Sequence, residues 1–575
     1  MLAILFRLFS NLLRLLTAPF FYLGRAAARP RARWVHVKLR PKIVEIEPTL
    51  PLFMDWFPPL AEMRPTSLEL IRELVELMLA DERVEGLVLD IPPLNAGWAT
   101  CQSLRELLVR LRAGNKKVVV YLSHGGGNRE LYVASAADRI LASPQSQLAP
   151  LGLAASVTYV KGLLEKAGLE VEVHRRSEYK TAAEPTTRDS MSDEQREQTQ
   201  ALLTTIDRAL RDALAERPGV DAARVDAFFE RAIVGAETAV ECGLIDGTAY
   251  EDELPTWLSD DRSVTPIVRA PRYYTWRKMK LFGRVGPERF IAVVPVHGAI
   301  QGGQVGTRGG RQLATTIASL RAARANPFVA GVVLHVDSPG GSALASDLIH
   351  REVERLKELK PVVASFGDVA ASGGYYVAAC ADAVVAQPMS ITGSIGVVSA
   401  RLVSQALMDK LGVKVDTLRL APHADMLSRP GKLADVEQAI LEREIDGFYK
   451  SFVGIVARGR GKGSDEVEPL ARGRVWSGSD ARDRGLVDRL GGFDAACEEV
   501  KARLKGKMAE SKRAALRAKV LNVRMITLPP AEPRKAEQAA RMLLGELHPQ
   551  AAEIWNLTRG GERVLCYASD LPSIT

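Results

Sequence analysis

Paired cysteines are missing from this sequence. Its 575 residues hold five (Cys101, Cys242, Cys380, Cys497 and Cys566), scattered, odd in number and without a C-x-x-C. That pattern argues against both a disulfide framework and a zinc site. The eight histidines are not clustered, which speaks against a metal hydrolase. Neither a metal nor a cofactor is expected. No G-x-S-x-G elbow occurs. No RNA- or DNA-reading motif is found, and no basic patch interleaved with aromatics, so nucleic acid is not an expected partner. Acidic residues are absent from the first 42 positions, which carry nine Arg or Lys. Such one-sided charge points to an anionic membrane surface. Near the N-terminus no charge-free apolar run reaches the roughly 20 residues that a spanning helix needs.

What is present is ordinary for a globular protein: 47% hydrophobic and 25% charged residues, with a formal net charge of +8. The length exceeds what one core serves and predicts two or more domains. Residues 1–26 read as a helix. Arg7, Ser10, Asn11 and Arg14 share one face, and Leu, Ile and Phe fill the rest. A helix lying in the membrane interface, touching lipid through residues 1–26, is the first expectation. A tilted spanning anchor is the second. A cleaved secretory signal is the third, because no small-x-small site follows cleanly.

The chain repeats itself. Gly86-Leu-Val-Leu-Asp-Ile91 returns as Gly331-Val-Val-Leu-His-Val336. Leu131-Tyr-Val-Ala-Ser-Ala-Ala-Asp138 returns within Tyr375-Tyr-Val-Ala-Ala-Cys-Ala-Asp382. Gly168-Leu-Glu-Val-Glu-Val173 returns as Gly412-Val-Lys-Val-Asp-Thr417, and Gly243-Leu-Ile-Asp246 as Gly485-Leu-Val-Asp488. The offsets lie between 242 and 245 residues. An internal duplication is the simplest account. It predicts an N-terminal domain over 35–255, a polar and basic linker over 256–289, a C-terminal domain over 290–505 and an extension over 506–575. The stretch 506–550, rich in Lys, Arg, Ala and Glu, carries no readable role.

Each half alternates short Val/Ile/Leu runs with helical stretches. In the second half Ile291–Val296, Val329–Val336, Val362–Phe366 and Ala383–Ala386 are the expected strands, and Leu344–Leu359 is an amphipathic helix. The fold class is therefore α/β with a largely parallel sheet in each half, and functional groups belong at strand-to-helix turns.

Ser372 sits at such a turn, in Gly367-Asp-Val-Ala-Ala-Ser-Gly-Gly-Tyr375. Small neighbours allow another backbone to approach, and a following helix offers free N–H groups. Taken alone, the turn reads equally as a Ser N-cap over a Gly-rich packing contact. Asp337-Ser-Pro-Gly-Gly-Ser342 is a second turn whose Gly-Gly can aim a backbone N–H at a neighbouring site, as an oxyanion hole requires. Its plain reading is a tight turn capped by Ser342. Ser390-Ile-Thr-Gly-Ser-Ile-Gly-Val397 is a third small-residue loop. A histidine base is hard to find, since His335 falls within a strand and His350 within a helix. A lysine serves as base only where burial supplies the neutral amine. Lys180, in Arg176-Ser-Glu-Tyr-Lys-Thr-Ala-Ala-Glu-Pro185, is a candidate that composition alone would leave on the surface.

The duplication sharpens that choice. At an offset of 244, Ser372 corresponds to Asn128 and Lys180 to Ala424. The first half has a lysine and no serine; the second has a serine and no lysine. Two copies that complement each other predict one composite site across the interface of the two domains.

These residues, with Met191-Ser-Asp-Glu-Gln-Arg196, Thr392-Gly-Ser-Ile-Gly396, Val475-Trp-Ser-Gly-Ser-Asp480 and the tail Glu562-Arg-Val-Leu-Cys-Tyr567, resemble the long, duplicated form of the signal peptide peptidase A (protease IV) family over roughly residues 60–505. The resemblance implies two tandem Clp-protease/crotonase-like domains and a serine–lysine dyad. Ser372 would be the nucleophile and Lys180 the general base. Ser394 would hold the amine, and the N–H groups of Gly341 and of Ser372 or Gly373 would form the oxyanion hole. It further implies remnant signal peptides and other apolar peptides as substrates, a bowl-shaped homotetramer, and a place at the bacterial cytoplasmic membrane with the catalytic domains on the outer, periplasmic face. Two other readings stand beside it: a membrane scaffold with dead peptidase domains, and a crotonase-type acyl-CoA enzyme, which would want carboxylates at the site.

Overall fold

The computed structural model describes residues 2–46, 64–282, 289–303 and 307–507, and three short strands beyond them, Asn522–Met525, Leu565–Tyr567 and Ser573–Ile574. The chain forms two compact units. One holds residues 1–153 and 205–288, the other 154–204 and 289–575.

The first unit is built on a six-stranded sheet in the order Gly247–Thr248, Arg139–Ala142, Lys117–Leu122, Gly86–Asp90, Trp34–Lys38, Ile267–Arg269. Every neighbouring pair is parallel. The central strand Gly86–Asp90 is buried along its whole length. A strand covered on both faces reads as a continuous apolar run rather than an alternating one.

The second unit repeats the plan: Arg489–Leu490, Ala383–Ala386, Val362–Ala371, Val329–Ser338, Phe290–His297, Asn522–Met525, again all parallel. Corresponding strands stand in the same places in both sheets, so the duplication read from motifs is a duplication of topology. The far end of Val362–Ala371 also carries Ile391–Gly393, which turns antiparallel to Val475–Ser477. The strands expected in this half are all present. Val362–Ala371 runs five residues past its expected end at Phe366, up to the candidate serine. The amphipathic helix forms over Ala343–Lys357, opened by Ser342, whose side chain accepts from the N–H of Ala345.

Three expectations differ from what is observed. Residues 256–289 are not a bare linker. Ile267–Arg269 is the sixth strand of the first sheet, and the helix Ala270–Lys278 follows it. Three residues with a proline at the next helix's start are too short for a period to show in sequence. Second, residues 154–204, expected in the N-terminal domain, pack with the second unit. Their strand Glu170–Arg176 pairs antiparallel with Val397–Val403. Third, the N-terminal helix forms over Leu2–Ala27, but among the described residues no helix is long and apolar enough to cross a membrane, so the spanning alternative is not met. The C-terminal extension contributes strands. Asn522–Met525 edges the main sheet, Leu565–Tyr567 lies antiparallel to Gly340–Ser342, and Ser573–Ile574 pairs with Ala155–Ser156. The rest of 506–575, beyond the helix Phe493–Lys507, lies outside the described residues.

Candidate active site

Strand Val362–Ala371 delivers Ser372 to its turn. Ala371 pairs with Gly393, and the N–H of Ser372 donates to Gly393 O at 2.8 Å. The chain then reverses. Ser372 adopts φ 54° and ψ −119°, and Tyr376 N–H donates to Ser372 O to open the short helix Gly373–Ala378. A serine at positive φ is uncommon and costs on the order of 1–3 kcal/mol. Of the seven non-glycine residues at positive φ among the described residues, four gather here: Ser177, Ser372, Ser394 and Arg472. Strain concentrated in this way is held by surrounding structure and is a pointer to function.

Lys180 meets the serine. Its Nζ lies 2.8 Å from Ser372 Oγ, 2.9 Å from Ser394 Oγ and 3.0 Å from Ser394 O. Ser372 is 0% exposed, Lys180 1% and Ser394 3%. Both the segment carrying Lys180 and the turn carrying Ser372 belong to the second compact unit, so the pair expected across the interface of two domains lies within one, because residues 154–204 of the first repeat pack with the second. Ser394 is fixed by its own N–H, which donates to Arg474 O at 2.7 Å. Nearby, Ser390 Oγ donates to Gly367 O and Thr392 Oγ1 to Ala370 O, so those two hydroxyls serve the turn.

The loop bearing Lys180 is clamped by residues that the motif reading did not single out. Gln198 donates to Thr181 Oγ1 at 2.8 Å and accepts from Val475 N–H at 3.2 Å. Arg175 donates to Lys180 O and to Glu184, a buried carboxylate. Tyr179 N–H donates to Arg472 O. Gly473 lies against Lys180: at φ +76°, a Cβ there would come within 2.6 Å of Lys180 N. On the rim, Tyr179 donates to Glu197 at 2.6 Å; that bond raises the phenol's pKa and lowers the carboxyl's. Glu184 falls inside the quoted motif, but Gln198 sits on a helix face with no spacing to mark it.

The second turn meets the first. Gly341, at φ +148°, leaves no room for a side chain, since a Cβ would fall 2.0 Å from Ile300 O. A Cβ on Gly373 would stand 3.2 Å from Gly341 N and 2.5 Å from Ser346 Oγ. The backbones of Gly341 and Gly373 are therefore neighbours. Because the N–H of Ser372 is committed to Gly393 O, Gly373 is the better placed of the two alternatives beside Gly341, which stands opposite Cys566 of the tail strand.

The histidines lie elsewhere. His335 Nδ1 is 3.2 Å from Ser365 O, and the ring packs on His297 and Phe493. His350 packs against Tyr376, and burial pushes its pKa below the ordinary value. Among the described residues no group of His, Cys, Asp and Glu could hold a metal ion.

A buried lysine amine on a strained, buried serine, beside two close glycine N–H groups, is the equipment of acyl transfer. Comparison with known proteins agrees in kind. Over 424 residues the chain is 34% identical to "Serine protease SPPA, chloroplastic" of Arabidopsis thaliana, covering 72% of this chain and 62% of that protein. It is 33% identical over 433 residues to "Protease 4" of Salmonella typhi, covering 72% and 68%. A shorter match, 36% over 186 residues, is to the "Putative signal peptide peptidase SppA" of Enterococcus faecium, covering 32% and 54%. The family model described as "Peptidase family S49" matches twice, over residues 110–265 and 354–507, once in each repeat and together across more than half of the sequence. The chain belongs to peptidase family S49.

Proposed function

We propose that this protein is a serine endopeptidase that cuts remnant signal peptides and similar apolar peptides with a Ser372–Lys180 dyad. The observation that carries the reading is the 2.8 Å contact between Lys180 Nζ and Ser372 Oγ, both buried. The mechanism needs the neutral amine, and burial penalises the charged form of an amine. Ser372 Oγ attacks the scissile carbonyl carbon while its proton passes to Lys180 Nζ. The oxyanion is held by the N–H groups of Gly341 and Gly373. The C–N bond breaks, and the lysine ammonium protonates the leaving amine. Water then gives a proton to Lys180 and attacks the ester, and Ser372 recovers its hydrogen. Ser394 orients the amine throughout.

The substrate class follows the names of the relatives. The membrane side of the reading rests on the N-terminal helix, where Leu12, Leu16, Phe20 and Leu23 are 62%, 76%, 78% and 69% exposed along one flank. That suits a helix lying in a lipid interface. Placement on the outer face of the bacterial cytoplasmic membrane and assembly as a homotetramer complete the reading. The lysine on the serine favours it over the acyl-CoA and scaffold alternatives.

The test compares wild type, Ser372→Ala and Lys180→Ala on a fluorogenic signal-peptide substrate. Loss of about 10⁴-fold or more in kcat is expected for each, as for other catalytic units of this kind. Wild-type activity should rise with pH, because a general base acts in its unprotonated form. Near-normal activity in a folded Lys180→Ala variant would place the base elsewhere.

A further inference from the structure

The pairing of Glu170–Arg176 with Val397–Val403 crosses the duplication. The first strand comes from the first repeat and the second from the second repeat. They run antiparallel with Glu170 opposite Val403 and Arg176 opposite Val397. The first repeat thus donates this strand to the next repeat instead of keeping it.

The second repeat builds the same donor. The helix Lys161–Ala167 corresponds to Gln405–Lys410. Their N-terminal caps match: Val160 at φ −116°, ψ 7° and Ser404 at φ −120°, ψ 9°. Each is followed by a left-handed glycine, Gly168 at +80° and Gly412 at +70°. From residue 153 against 397 through 176 against 420 the offset of 244 holds without a gap. Val413-Lys-Val-Asp-Thr-Leu-Arg-Leu420 therefore stands where Leu169–Arg176 stands. Yet it pairs with no strand among the described residues. Its apolar side chains face water: Val413 is 46% exposed, Val415 54%, Leu418 98% and Leu420 105%. Apolar residues alternating with charged ones along an unpaired stretch form a template for a β-partner.

The acceptor is equally incomplete. The counterpart of Val397–Val403 is 153–159, a stretch of half-exposed and exposed residues whose only strand is Ala155–Ser156. Val397–Val403 has a tail strand, Leu565–Tyr567, on one edge and Glu170–Arg176 on the other. Ala155–Ser156 has a tail strand, Ser573–Ile574, on one edge and nothing described on the other. Among the described residues, 414–420 is thus a donor without an acceptor, and 153–159 an acceptor with one edge uncovered.

We infer that residues 414–420 pair antiparallel with residues 153–159 of a second copy of this chain, continuing between molecules the strand donation made within one. The register carries over: Thr417 stands opposite Ser156, Leu418 opposite Ala155 and Leu420 opposite Leu153. The contact is heterologous, head to tail, so copies add in one direction until a ring closes. This goes beyond the assembly named above by stating which strands make it.

Full-length Thr417→Cys and Ser156→Cys chains, carrying different tags, are co-expressed and mildly oxidised, with wild type as the baseline for the native cysteines. Directly opposed residues lie within disulfide reach. The expected result is a disulfide-linked dimer joining positions 417 and 156, found only in the mixed preparation. A 417–417 link in the single variant would mean a two-fold contact and overturn the inference. So would absence of the mixed link while wild type runs as a multimer by light scattering. Leu418→Asp with Leu420→Asp, at two surface positions, should keep the thermal midpoint and lower the native mass. An unchanged mass would overturn the inference, even if the variant lost binding to anionic vesicles. A monomeric wild type would sink this and the proposed tetramer together. None of these readouts uses peptidase activity, so failure of the dyad would leave the inference standing.

Discussion

The two repeats place corresponding turns at the ends of corresponding strands, and only one has the equipment for acyl transfer. At the first turn, Asn128 stands where Ser372 stands in the second. Its amide donates to Gly152 O at 2.6 Å and its carbonyl accepts from Gly152 N–H at 3.3 Å, closing the loop on itself. Two positions on, Glu130 is buried and accepts from the N–H groups of Leu94 and Gly127. Two backbone N–H groups beside that turn thus already hold a carboxylate. At the second turn the residue in the place of Glu130 is Gly374, which has no side chain to plug anything. One scaffold is stable with the anion built in. The other has no carboxylate at that position and carries the strain of two serines at positive φ.

The contrast is broken most severely by crowding the lysine. Gly473→Ala adds a Cβ 2.6 Å from Lys180 N at φ +76°. Displacing the amine by about 1 Å should cost ~10²-fold in kcat/KM, measured on the fluorogenic substrate, with the fold retained by circular dichroism. A milder change loosens the clamp. Gln198→Ala removes the bonds to Thr181 and Val475 and should lower kcat about tenfold with little change in KM, some 1.4 kcal/mol of transition-state stabilisation. The smallest effect is expected where the first repeat is given a serine. Asn128→Ser in a Ser372→Ala background should restore no measurable activity, because the buried carboxylate of Glu130 stays beside that turn and Ala424 stands where a matching lysine would be. Recovery of activity there would show that the first repeat lacks only its nucleophile.

Ser372 and Lys180 were legible because the duplication left them as complementary losses, and the structure brings their side chains together. Ser394 was reached through the motif resemblance, and it too lies on the amine. The core strands were legible because both of their faces are buried, so Val332, Val333 and Leu334 follow one another without alternation. The unit boundary was not. A strand such as Glu170–Arg176 shows its own periodicity but not which repeat it will pair with, and here it pairs with the later one. Gln198 was invisible for a related reason: one amide on a long polar helix acquires its meaning only from Thr181 and Val475, the latter 277 residues away.

The three oxygens around Lys180 Nζ have a kinetic consequence. An ammonium donates to all three. A neutral amine donates two hydrogens to Ser394 O and Ser394 Oγ and receives the third from Ser372 Oγ. Both protonation states use the same heavy-atom positions, so on the proposed mechanism the proton can cross the 2.8 Å between serine and amine without either side chain moving. The same resting geometry then serves acylation and deacylation alike.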